Sequence, residues 1–95
     1  MKLIIPSVTY YSQADEDSFF GWLHSIPDVT EVVGEHKDLI VSLASNTLSD
    51  SSLRDLIALH QRYLLPMQSL AQFETPSNSS WFRSPVAFWH SAVFC

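Results

Sequence analysis

Five prolines, at positions 6, 27, 66, 76 and 85, set an upper limit on every regular element this chain can form. Proline lacks a backbone N–H and has a fixed φ, so it interrupts strands and ends helices beyond their first turn. What lies between the prolines must fold as short pieces. "KLIIPSVTYY" (2–11) is rich in β-branched and aromatic residues and reads as a first strand, on a sheet edge or broken at Pro6. "SQADEDSFFGWLHSIP" (12–27) reads as a helix: Ser12 and Asp15 resemble a capping box, and Phe19, Leu23 and Ile26 recur at helical spacing. Phe20 and Trp22 broaden that stripe, and Pro27 stops it. Gly21 inside it costs about 1 kcal/mol relative to alanine, which predicts a close packing contact at that position.

"VTEVVGEHKDLIVSLA" (29–44) reads as a hairpin with its turn at Gly34 to Lys37. In the first arm Val29, Glu31 and Val33 share one face and Thr30 and Val32 the other. In the second, Leu39, Val41 and Leu43 face the core. After the polar loop "SNTLSDSS" (45–52), a helix begins near Ser49 or Asp50. Leu53, Leu56, Ile57, His60 and Leu64 form its apolar stripe, and Pro66 bounds it. Met67 to Phe73 makes a further helical turn, "TPSNSS" (75–80) a loop, and Ser84–Pro85 caps a short helix over Val86 to Ala92.

These pieces predict one α+β domain over residues 1–95. A small three-stranded antiparallel sheet, in β-α-β-β-α order, is covered by two amphipathic helices, and short C-terminal helices complete the core. A chain that is 46% hydrophobic and 13% aromatic has ample material for such a core. The tail holds Trp81, Phe82, Phe88, Trp89 and Phe94, whose burial would be worth several kcal/mol per ring at about 25 cal/mol per Å². The reading is that folding consumes them.

Charge divides unevenly along the chain. Residues 1–50 hold eight acidic side chains against Lys2 and Lys37, a net −6, whereas residues 51–95 carry a net +1. Nucleic acid is an unfavourable direct partner, because neutralising phosphate needs a basic stripe. An acidic half suits a basic protein surface instead. Asp15, Glu16, Asp17, Asp28, Glu31, Glu35 and Asp38 are the candidate contacts for it, with Trp22 and Tyr63 as aromatic anchors. Solvation of an ordinary acidic surface is the plainer account of the same residues.

Little else points to chemistry. His60 or His90 beside Asp55 or Glu74 could form a general-base pair, yet no nucleophile motif or phosphate-cradling glycine loop accompanies them. The four histidines and the single cysteine, Cys95, have no metal-ligand spacing and allow no internal disulfide. The expectation is a protein without enzymatic activity, metal or cofactor. The apolar runs are too short for a membrane span, and "LIIP" too short for a signal peptide, which predicts a cytoplasmic protein.

"LRDLIALHQRY", "MQSLAQF" and "WFRSPVAFWHSAVF", within residues 48–94, resemble a group of small bacterial proteins. The stretch "FFGWLHSIPDVTEVVG" (19–34) is similar to their aromatic helix and following strand. Some of that group resemble the cytosolic immunity proteins of polymorphic or contact-dependent growth-inhibition toxin systems. The likeness spans about three quarters of the chain and includes no catalytic motif. It implies a bacterial cytoplasm and a cognate toxin domain as partner, most simply a nuclease whose basic cleft the acidic half occludes. A non-enzymatic adaptor that self-associates, or binds another protein, is the alternative.

Overall fold

The computed structural model describes residues 1–45 and 47–95; Asn46, part of the expected polar loop, lies outside the described residues. The chain is α+β. Strand β1 (Lys2–Ile5), helix α1 (Gln13–Ser25) and strands β2 (Val29–Glu35) and β3 (Asp38–Leu43) are followed by helix α2 (Asp50–Arg62). A 3₁₀ helix (Gln68–Phe73) and two short helices, α3 (Ser79–Phe82) and α4 (His90–Phe94), complete the order. The sheet is antiparallel in the order β1-β3-β2.

β1 is shorter than the 2–11 expected. Ile5 pairs with Leu39, so Pro6 meets the end of β3 and has no N–H to offer it. Residues 6–11 leave the sheet and cross to α1. The hairpin turn is also tighter than expected: Glu35 pairs with Asp38, leaving only His36 and Lys37 as the loop, with His36 at φ 57°. Gly34 is a strand residue opposite Leu39, not part of the turn.

The faces of β2 differ from simple alternation. Val29 opposes Leu43 while Glu31 opposes Ser42, so Thr30 is the extra residue of a bulge, and its hydroxyl donates to the Ser42 carbonyl at 3.1 Å. The slip lets Val29 and Val32 share the core face with Leu3, Ile5, Leu39, Val41 and Leu43. Glu31 and Val33 turn to the opposite, open face. Val29 therefore does not share a side with Glu31 and Val33.

Both main helices are capped as their sequences dictate. Ser12 Oγ accepts the Asp15 N–H at 3.1 Å, and Ser49 Oγ accepts the Ser52 N–H at 3.1 Å. α1 buries Phe19 and Leu23 with Ile26 just beyond it; α2 buries Leu53, Leu56, Ile57, Leu59 and His60. Gly21 has no close neighbour: its missing side chain points into open space. Leu64 leaves the expected stripe altogether. It adopts φ 55° just past the helix, where Leu65 N–H donates to His60 O and Leu64 N–H to Gln61 O, the pattern of a Schellman ending. Glycine usually takes this left-handed position. Here leucine does, and it is 84% exposed.

The tail folds back as predicted, but by another route. "TPSNSS" is tied together by buried Asn78, whose amide donates to Phe73 O at 2.9 Å and accepts the Thr75 N–H at 2.8 Å. α3 starts directly after it. Val86 to Trp89, the first part of the helix expected over Val86 to Ala92, form turns instead, and Trp89 Nε1–H donates to Phe82 O at 2.7 Å. That bond draws the indole inward. Phe82 is buried, with Phe94 at 4.9 Å and edge-tilted to it, while Trp81, Trp89 and Phe94 are half-buried. Phe88 is the exception at 63% exposure: unlike the other four rings it is not consumed by folding and stands largely in water. Among the described residues no helix is long and apolar enough to cross a membrane.

Candidate functional site

The strongest concentration of unspent polar groups lies at one end of the molecule. There the first turn of α1, the β2–β3 turn and the end of α2 surround the crossing segment Ser7–Tyr11. Two hollows flank that segment. One, of about 390 Å³, has Glu16, Tyr10, Phe20, Gly34, Lys37 and Asp38 among its walls. Gly34 lies on the helix-facing side of β2, and its lack of a side chain helps keep this hollow open. The other, of about 340 Å³, is bounded by Tyr11, Asp15, Arg62, Tyr63 and Leu64 with Pro66 behind.

The acids expected to act together fall into two sets. Glu16 and Asp38 both border the first hollow, and Glu35 pairs directly across from Asp38 on the open face of the sheet. Asp17 is exposed on the same turn of α1 and accepts from Gln13 Nε2 at 2.9 Å. Asp15 is half-buried on the second hollow, and its carboxylate accepts the Tyr11 N–H at 3.0 Å. These five share one end. Asp28 and Glu31 do not join them.

Asp28 is occupied in holding the fold. Its carboxylate accepts both the N–H and the hydroxyl of Ser49, at 3.1 and 3.3 Å, and so fastens the start of α2 to the start of β2. The nearby Ser52 hydroxyl, outside strict hydrogen-bond geometry, and then the Ser49 N–H hold this carboxyl below its ordinary value. Glu31 sits on the open face of the sheet, opposite Ser42. The two aromatic anchors are partly spent as well. Trp22 packs against the core, and Tyr63 meets Phe19 edge-on at 4.9 Å, its hydroxyl donating to Asp15 O at 3.4 Å.

The negative charge at this end leaves a trace on its phenols. Burial first, and then the Glu16 carboxylate, raises the Tyr10 hydroxyl above its ordinary value; burial and then Asp15 do the same for Tyr63. Both remain neutral donors at physiological pH. The closing pair of the hairpin is itself unfavourable. Like charges directly opposite on a sheet cost a few tenths of a kcal/mol up to about 1, and Glu35 and Asp38 are such a pair.

The two histidines considered for general-base chemistry lie elsewhere. His60 is wholly buried, its Nδ1 donating to Leu56 O at 2.8 Å while Nε2 has no partner among the described residues. Burial lowers its pKa, the hydrogen bond to Leu56 opposing in part. His90 is half-buried with its ring 5.8 Å from that of Phe94. Tyr11 and Leu64, both more than 80% exposed, are the apolar groups at this end that the sequence reading missed. The break at Pro6 was the available signal for Tyr11. Nothing in the helical spacing marked Leu64, because it continues that spacing past the point where the helix stops.

Comparisons with family models, with characterised proteins and with solved structures return no match for this chain.

Proposed function

We propose that this chain is a protein-binding module whose acidic end receives a lysine- and arginine-rich surface of a partner. The observation that supports this most directly is the set Glu16, Asp38 and Glu35 at one end: Glu16 and Asp38 border one hollow, Glu35 pairs with Asp38 at its rim, and none is in an ion pair among the described residues. Folding alone would favour a cation opposite Asp38, and Glu35 stands there instead. Exposed carboxylates of this kind speed association with a basic partner. Tyr11 and Leu64, on the adjoining hollow, supply the apolar contacts that slow its release.

A nuclease toxin presents such a partner surface, since its cleft must be basic to hold phosphate. The specific form of the proposal is therefore an immunity protein of the bacterial cytoplasm, covering the active site of a cognate toxin through an interface of about 800 Å² per partner. Co-expression with the product of the adjacent gene tests it. The expected result is a stable complex and protection of the cells, with association slowed at least tenfold by the combined Glu16→Lys, Glu35→Lys and Asp38→Lys substitutions. Failure to recover a complex, together with no protection, rejects the immunity reading. A complex indifferent to the triple substitution rejects the acidic end as its seat.

A further inference from the structure

Among the described residues nothing covers the face of the sheet turned away from the helices, and its pattern fits a second copy of itself. Three cross-strand rows follow from the register. The first is Lys2–Ser42–Glu31, the second Ile4–Ile40–Val33, and the third carries Asp38 and Glu35 beside the turn. Ile4 is 55% and Val33 45% exposed, unusual for β-branched residues aligned in one row. Lys2 and Glu31 stand two strand spacings apart, about 10 Å, on either side of Ser42. No ion pair forms between them.

We infer that this face packs against the same face of a second copy, about a two-fold axis parallel to the strands. That operation exchanges β1 for β2. It sets Ile40 over Ile40 of the second copy, Ile4 over its Val33, and Lys2 over its Glu31, the last two contacts each occurring twice. The charged corners that find no partner within one chain find one across the interface. A different axis loses this match: a two-fold perpendicular to the strands through the Ile40 row sets Glu31 over Glu35 of the second copy, like charge on like.

Two features fix the strength. Three rows on three strands cover well under the ~800 Å² per partner of a standard interface, so association is weak and depends on concentration. At the turn end Asp38 faces its own equivalent. Sheets packed face to face diverge by about 30°, which opens that corner to water, yet the repulsion still opposes closure. This self-association does not rest on the acidic-end proposal, and it uses Lys2 and Glu31 rather than Glu16.

Sedimentation of the intact chain between about 10 μM and about 1 mM, a range suited to a small interface, decides the matter. The expected mass rises from 10.8 kDa towards twice that value. Lys2→Glu should weaken the dimer at least tenfold, and Lys2→Glu combined with Glu31→Lys should restore it. Val33→Lys should abolish it, and Asp38→Asn should tighten it several-fold. Circular dichroism checks that each variant stays folded, as expected for exposed positions; a variant that unfolds is replaced by Ile4→Thr, which should also weaken the dimer. A strict monomer throughout overturns the inference. So does a dimer that the single and double charge reversals leave alike, which would place the contact at a strand edge or the aromatic tail.

Discussion

Charged side chains behave differently in the two halves of the molecule. In the C-terminal half Arg54, Glu74 and Arg83, three of the five, are spent on the fold. Arg83 donates twice to Glu74 at 2.7 Å while its guanidinium lies 4.2 Å over the Phe94 ring, and Arg54 lies 4.0 Å over Trp81. The Arg83 and Ser79 hydrogen bonds bring Glu74 down to about 2. Among the described residues of the N-terminal half, Asp28 alone is used in this way across elements, and Glu16, Glu31, Glu35 and Asp38 form no ion pair. A charge committed to an internal partner tells of folding. One left open, beside a like charge, is free for a partner, and the proposed acidic binding end rests on this contrast.

The contrast can be broken by substitution. Phe82→Ala should be the most damaging change, costing about 3–5 kcal/mol in urea unfolding, because the ring is wholly buried beneath the tail. If it costs less than about 1 kcal/mol, the tail is an appendage and not core. Asn78→Ala should cost about 1–3 kcal/mol by orphaning Phe73 O and the Thr75 N–H.

His60 should grade stability with pH. Its folded pKa is lowered, so the unfolded chain takes up the proton first. Stability is therefore complete above about 6.5, the ordinary histidine value, and declines as pH falls from there towards the lowered folded value. His60→Leu should remove that slope in unfolding measured from pH 7.5 to 5; an unchanged slope would place its origin elsewhere.

The N-terminal half should respond mildly and in the opposite direction. Gly21→Ala is expected to raise stability by about 1 kcal/mol, since the position is helical and open. A loss would reveal a contact absent from the structure. Asp38→Lys should add about 0.2–1 kcal/mol by ending the repulsion with Glu35. If thermal melting shows no gain, the pair is already relieved and its use as evidence for a binding end weakens.

Most of the fold was legible because local signals agreed with tertiary ones. Ser12 and Ser49 cap as their positions suggest, and Phe19, Leu23, Leu53, Leu56 and Ile57 fall on the core as spacing required. The errors share a cause, which is that backbone hydrogen bonding overrode periodicity. A bulge at Thr30 moved Val29 to the other face, a Schellman ending turned Leu64 outward, and the Trp89–Phe82 bond replaced a helix with turns. The acidic end was half legible. Sequence located the charge in the first fifty residues, but only the register of the hairpin and the latch between Asp28 and Ser49 separated the carboxylates that gather from those that do not.

The bulge at Thr30 also governs what the hairpin can survive. Because Thr30 is the one supernumerary residue, pairing this arm without the bulge would turn the Glu31 carboxylate inward and Val32 outward, whereas deleting Thr30 itself would leave every other pair in register. Drift in amino-acid identity is cheap along this arm, while a change in its length elsewhere than at the bulge is not. Relatives of this protein should vary in side chain there and, if they lose a residue, lose the bulged one.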